Sequence, residues 1–351
     1  MINHIIECVP NFSEGRDKEK IQQIANAISE TAGVKLLHID IGEAANRTVY
    51  TFAGSPEDVS QAAFNGAKKA SECIDMRHHH GEHPRIGAMD VCPLVPVSGI
   101  TLKEVVPYAR RLAKRIGEEL NVPVYCYEAS SYKKTRESLA NCRSGEYEGL
   151  SEKLKNPLWK PDFGPDIFKP KYGASVVGAR NFLIAYNVNL NTDSVEVAND
   201  IARAVRESGS IVKDKKTGEI IRDNNGNVLR EPGTLKMVRA IGWYIKEYKC
   251  AQVSMNLRDF SVTSIHEAFE EVKKMAELRG LKTNGSELIG LIPLQPMLKA
   301  GQYFLTKAGL PYDVSEKELV NIAVKSMGLD VLAPFDPHKR ILEYRMKYYK
   351  I

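Results

Sequence analysis

Phe182-Leu-Ile-Ala-Tyr-Asn-Val-Asn-Leu190, followed by Ser194-Val-Glu-Val-Ala-Asn-Asp-Ile-Ala-Arg-Ala-Val-Arg-Glu-Ser208, decides the fold, because here the chain starts an earlier pattern over again. The first piece is an apolar run of strand length. The second carries Val195, Val197, Ala198, Ile201, Ala202 and Val205 on one side at helical spacing. Paired strands at Lys236–Lys246 and Ala251–Leu257 come next, then a helix at Ser264–Arg279 and a strand at Leu288–Pro293. The order is β-α-β-β-α-β.

Working back towards the N-terminus, the same order is already there. A strand at 4–10 precedes a helix from Asp17 to about Thr31, with Ile21, Ile24, Ala25 and Ile28 on one face. Val34–Ile41 and Thr48–Ala53 read as strands around a polar turn. Ser55-Pro56-Glu57-Asp58 is a helix start, with a serine cap, proline at the first position and acids in the first turn. That helix reaches about Cys73, and Gly87–Val97 is again strand-like. Each copy has the order of a ferredoxin-like unit, which puts its helices on one face of a mainly antiparallel sheet. The expected architecture is therefore α+β, with two ferredoxin-like (βαββαβ) subdomains, 1–181 and 182–351. Between the copies, an amphipathic helix at Thr101–Leu120, a strand at Pro123–Tyr127, a helical segment ending near Asn156 and a proline-rich loop are expected. A polar hairpin with an Asn225-Gly226 turn occupies about 211–230, and a helical cap closes the chain.

Composition sets the bounds. With 43% hydrophobic and 26% charged residues, the 351-residue chain is an ordinary globular protein. A net charge of +5, with acids and bases interspersed, makes nucleic acid a weak expectation, and a small anionic substrate suits the excess equally well. The N-terminus lacks the features of a signal peptide, and no apolar run approaches a membrane span. Six scattered cysteines without a CxxC imply reduced thiols and a cytoplasmic protein.

Chemistry is concentrated in Arg77-His-His-His-Gly-Glu-His83-Pro84-Arg85, which holds four of the eight histidines. Histidine titrates near neutrality and can move protons or bind a metal. Successive side chains of extended backbone point to opposite sides, so His78, His79 and His80 are poorly placed to share one ion, and no metal is expected. His83 stands before a proline, which stiffens its backbone. Asp40 ends a strand, where it is either a turn-initiating residue before Gly42 or a carboxylate able to orient an imidazole. Arg47, Arg85 and Arg180 are candidate carboxylate clamps or plain solvated cations. The loop Trp159-Lys-Pro-Asp-Phe-Gly164-Pro165, continuing to Phe168, Pro170 and Tyr172, suits either a flat heterocyclic ligand or the packing of a linker. No phosphate-binding glycine loop and no HExxH are present.

A set of ordered segments resembles the formiminotransferase family, the folate-dependent glutamate formimidoyltransferases. They include Glu7-Cys-Val-Pro-Asn11-Phe-Ser-Glu-Gly15, Asn46-Arg-Thr-Val-Tyr-Thr-Phe52, Gly81-Glu-His-Pro-Arg85, Asp90-Val-Cys-Pro93, Pro161-Asp-Phe-Gly-Pro165, Gly178-Ala-Arg180 and Ile241-Gly-Trp-Tyr244. The resemblance implies a ligand cleft between two ferredoxin-like subdomains, His83 as catalytic base and Asp40 as its partner. It implies a folate site that includes Gly164, Pro165, Phe168, Tyr172 and Gly173, with Glu7, Asn11, Arg47, Arg85 and Arg180 as further binding residues. Implied too are N-formimino-L-glutamate and tetrahydrofolate as substrates, a cytoplasmic homodimer active in histidine degradation, and a separate cyclodeaminase as a possible partner, since 351 residues leave no room for one. Two features depart from the family pattern: the longer 211–230 hairpin and the His78–His80 run. Formyl transfer on the same scaffold is the alternative chemistry, and a non-catalytic folate-binding module the alternative class. A nucleic-acid role has less support, because the aromatic RNA-binding motifs are missing.

Overall fold

The structure is a computed structural model, and it describes residues 4–214, 216–223, 226–310 and 313–349. The chain divides into two compact units, Met1–Asn181 with Met346–Ile351, and Phe182–Arg345.

In the first unit, β1 (Ile5–Cys8) and β2 (Asn11–Phe12) are one strand path interrupted at Val9-Pro10. Helix α1 (Lys18–Ser29) is capped by Asp17, whose carboxylate accepts from the Glu19 and Lys20 amides. The strands β3 (Val34–Gly42) and β4 (Arg47–Gly54) form a hairpin. Helix α2 (Pro56–Cys73) starts on its Ser55 cap as read from the sequence, and β5 (Met89–Ser98) follows the histidine loop. The order β3-β4-β1-β5 is antiparallel throughout, which is compatible with a ferredoxin-like unit. The sheet then continues. Helix α3 (Leu102–Glu119) crosses over to β6 (Val124–Glu128), the short helices α4 (Leu139–Arg143) and α5 (Leu150–Lys155) follow, and β7 (Ser175–Ala179) inserts between β5 and β6, parallel to both.

Alternation along the strands separates two faces. Ile6, Cys8, Phe12, Tyr50, Phe52 and Leu94 pack against α1, α2 and α3 in the main core. From α1, Ile21, Ile24, Ala25 and Ile28 are buried, each isoleucine contributing about 1.5–3 kcal/mol. On the opposite face, Val91, Tyr125, Tyr127 and Val176 pack with Cys142, Leu150 and Leu154 from α4 and α5.

The second unit repeats the first order. It contains β8 (Ile184–Leu190), α6 (Val195–Val205), the short pair β9 (Ser210–Ile211) and β10 (Arg230–Glu231), then β11 (Val238–Ile245), β12 (Cys250–Leu257), α7 (Ile265–Glu277) and β13 (Thr283–Ile289). Its sheet runs β11-β12-β8-β13, again antiparallel. The last strand starts five residues before the expected Leu288, because Thr283-Asn284-Gly285 is polar and carries a register shift. Helices α8 (Leu294–Lys307), α9 (Glu316–Met327), α10 (Pro337–Arg340) and α11 (Leu342–Tyr349) supply the expected C-terminal helices. The insertion is a polar surface hairpin in which Ser210 and Ile211 pair with Glu231 and Arg230; Asn225 of its expected turn lies outside the described residues. Among the described residues no helix is long and apolar enough to cross a membrane.

Candidate active site

The site assembles at the β2, β4 and β5 strands of the first unit, and it begins with a carboxylate the sequence should not tolerate. Asp90 stands in an apolar strand and is fully buried. The β2–β5 register shifts at this point, so that Asn11 faces Val91 and Phe12 faces Met89, leaving Asp90 as the extra residue. Such bulges re-aim a side chain. The Asp90 carboxylate accepts from the Ile86 amide (3.0 Å), Arg47 Nη2 (2.7 Å), and Arg143 Nη2 (2.5 Å) and Nε (3.3 Å). Burial alone would push its carboxyl up; the Arg143 and Arg47 charges override that and hold it at about 2.

Arg47 is fixed from its other side by Asn11, whose Oδ1 accepts from Arg47 Nε at 2.9 Å while its Nδ2 donates to Val9 O. Burial lowers Arg47 to about 10, against the pull of Asp90, so it remains a cation at neutral pH. The residue before it, Asn46, has φ 45, a conformation asparagine tolerates. Its amide accepts from Gly15 N (2.9 Å) and donates to His80 O (3.0 Å), and its carbonyl accepts from His79 Nε2 (2.7 Å). The β3–β4 turn and the histidine loop are thereby tied together.

Within that loop the histidines do different things. His79 is buried; its Nε2 donates to Asn46 O and its Nδ1 accepts from Arg85 Nε at 3.1 Å, which makes it a neutral spacer. His78 and His80 are exposed. Among the described residues, no group of three or more His, Cys, Asp or Glu side chains could hold a metal ion. His83 is half-buried, and its Nδ1 donates to Pro84 O at 2.8 Å, a bond that leaves Nε2 as the basic nitrogen. Burial, then the charges of Arg47 and Arg143, pull its pKa down to about 3, so the ring is neutral across the physiological range.

Asp40 on β3 shares a cross-strand row with Val49, Asn11 and Val91, and its carboxylate lies 3.6 Å from His38 Nε2. Glu7 is buried on β1, in register with Ala53 and Val95. Arg180 follows β7, with its amide on Leu94 O and its guanidinium on Asn181 O. Arg85 is not an open clamp: its guanidinium reaches Glu148 (2.6 and 2.8 Å) and Glu146 (3.3 Å). Nor is the aromatic loop a set of presented rings. Tyr172 is 4% exposed in the main core, its hydroxyl bonded to Ser175 Oγ at 2.8 Å, and Phe168 is half-buried against Tyr147. Arg136, wholly buried, locks the loop through Leu158 O, Lys160 O and the Asp162 carboxylate. Pro165 is half-buried and Gly164 is exposed. Gly173 (φ +81) lies where a Cβ would meet Ile86 O at 2.1 Å, and Gly164 (φ +77) meets Val122 O at 2.0 Å, so both glycines serve close backbone approach.

The family of the N-terminal subdomain of the formiminotransferase domain matches residues 5–180, and that of the formiminotransferase domain matches residues 185–347. The chain belongs to the formiminotransferase domain family. A glutamate formimidoyltransferase of Thermoplasma acidophilum is 41% identical over 307 residues, covering 87% of this chain and 93% of that one. The enzyme of the same name from Streptococcus pyogenes serotype M1 is 39% identical, with 88% and 95% covered. A formimidoyltransferase-cyclodeaminase of Dictyostelium discoideum is 48% identical over 346 residues, and the chain spans 61% of its length. The site just described lies in the part of the chain that matches the N-terminal subdomain.

Two members of the site were not picked out in the sequence. Asp90 had a readable signal, since a charge inside an apolar strand must be paired to be buried. Arg143 had none, being one arginine in a polar stretch, Asn141-Cys142-Arg143-Ser144.

Proposed function

We propose that the chain moves the formimino group from N-formimino-L-glutamate to N5 of tetrahydrofolate, giving 5-formiminotetrahydrofolate and L-glutamate. The observation that carries this reading is His83: a neutral imidazole, its tautomer set by Pro84 O, beside an Arg47–Asp90–Arg143 cluster with one cation in excess. The names of the prokaryotic relatives, matched over nearly their whole length, supply the reaction class.

Tetrahydrofolate supplies the attacking amine. As the new N–C bond forms and the bond to the glutamate nitrogen breaks, one proton must leave the attacking nitrogen and one must reach the departing nitrogen. His83 Nε2 takes the first and returns the second, acting as base and then acid. A pKa of about 3 makes the resting ring a weak base. Arg47 and Arg143 are part of the reason, and a substrate carboxylate near them cancels the charge that depresses the ring. Substrate binding thus brings His83 towards the pKa its work requires. Asp40 is the carboxylate assigned to balance the imidazolium; its place in the Asn11 row supports this. Both substrates carry carboxylates, which suits the excess positive charge.

The test is a product assay with purified protein and tetrahydrofolate, offering N-formimino-L-glutamate and N-formyl-L-glutamate in parallel. Formation of 5-formiminotetrahydrofolate from the first donor is expected. Transfer from the formyl donor alone would move the chain to formyl chemistry, and silence with both would overturn the enzymatic reading.

A further inference from the structure

Arg143 is the last residue of α4, a helix of five residues. A helix that short leaves nearly all its final carbonyls without partners of its own. The partner comes from α5. Lys153 is buried, and its ammonium donates to Asn141 O (2.9 Å), Cys142 O (2.6 Å), Ser144 O (3.1 Å) and Ser144 Oγ (3.2 Å), with Nζ 3.9 Å from the centre of the Trp159 ring. Lysine normally keeps its charge in water, and burying it is costly unless its protons find acceptors. Here they find four oxygens and an aromatic face. The carbonyls on either side of Arg143, those of Cys142 and Ser144, are gripped by this one cation, while Arg143 O accepts from Glu146 N at 2.7 Å. No step of the transfer uses Lys153.

We propose that Lys153 is a positioning residue, which fixes the backbone on both sides of Arg143 and so keeps that guanidinium on Asp90 beside His83. The inference rests on the reading of His83 as the proton-transferring group. The same segment carries Glu146 and Glu148, which hold Arg85. Burial lowers Lys153 to about 8; of the charged and titratable groups that face it, Cys142 on α4 raises it and Arg136 lowers it. The clamp is therefore lost on mild alkalinisation, as the ammonium gives up a proton.

Two measurements test this. The first needs no activity: hydrogen exchange of the Arg143 Nε–H, assigned in the NMR spectrum by its absence from Arg143→Gln. Lys153→Met should speed that exchange by roughly tenfold, as the local opening becomes easier, with the fold intact by circular dichroism. The second is turnover. Lys153→Met should lower kcat by about 10- to 100-fold, the range for a misplacement of about 1 Å, and add no further loss in an Arg143→Gln background. If Lys153→Met fails to fold, the pH profile of the unaltered protein decides: kcat should fall with a midpoint near the Lys153 pKa of about 8, and Lys153→Arg should move that fall to higher pH. A folded Lys153→Met with unchanged Arg143 exchange, or a profile with no loss near that pH, overturns the proposal. Faster exchange in a protein that transfers neither donor would instead overturn the proposed function and leave the positioning role standing.

Discussion

Asp90→Asn is the sharpest test of the arginine cluster. The substitution keeps the shape and removes the charge, leaving the buried Arg47 and the half-buried Arg143 together without their shared anion. Breaking a buried pair from one side costs about 3–5 kcal/mol. Part of that cost depends on pH. Asp90 is held at about 2 in the folded chain against an ordinary 3.8, and at about 1.4 kcal/mol per pH unit the difference is worth roughly 2–3 kcal/mol. Because the folded value is the lower one, this stability is present above about pH 4 and is lost as pH falls through about 2. The gap between parent and variant should therefore be widest at neutral pH and shrink by about 2–3 kcal/mol in acid. The chain has two tryptophans, Trp159 in the first unit and Trp243 in the second. Urea unfolding followed by fluorescence in a Trp243→Phe background reads the first unit alone. A variant destabilised by less than about 1 kcal/mol, or a gap that stays constant from neutral pH into acid, would refute the account of Asp90 as the anion that holds both arginines.

His83→Ala should leave the fold and folate affinity in place and lower turnover by about 10²–10⁴, the usual range for a lost general base. With His83 depressed to about 3 in the free protein, kcat/KM should show no acid limb near the ordinary histidine value; a limb near pH 6.5 would place the ring in water-like surroundings. Tyr172→Phe should cost about 1 kcal/mol through the lost Ser175 hydrogen bond and leave folate affinity unchanged; a large loss of affinity measured by titration calorimetry would restore this ring to the ligand site. Gly173→Ala should lower the thermal midpoint clearly, since φ +81 and the 2.1 Å approach to Ile86 O both exclude a Cβ.

Periodicity and caps made the doubled β-α-β-β-α-β order legible: the Ser55-Pro56 start and the one-sided apolar spacing of α1 and α6 lie where they were expected. Strand β7 did not declare itself. Its five residues, Ser-Val-Val-Gly-Ala, are flat in pattern because both faces are buried, and alternation then disappears. The strand-borne part of the site was half-readable. Arg47 and His83 stand out by residue type and setting, and Asn11 through the family resemblance, while Arg143 reaches Asp90 only through tertiary packing across 53 positions. The aromatic loop left two readings open for a physical reason: rings and prolines together fit a ligand platform and a packed strap equally well, and the buried Arg136 anchors the loop in either case.

The placement of β7 also governs how the first unit can be made. Because β7 pairs with both β5 and β6, residues 175–179 complete a sheet whose other strands end by residue 128. Until Ala179 has left the ribosome, β5 and β6 each present an open edge, and α3 covers a sheet with a gap in it. Nascent chains stopped short of this strand are thus the ones most exposed to edge-to-edge association and to quality control. The histidine loop, Asp90 and Arg143 are all synthesised well before this closing piece arrives, so the candidate site waits on a stretch of chain with no chemistry of its own.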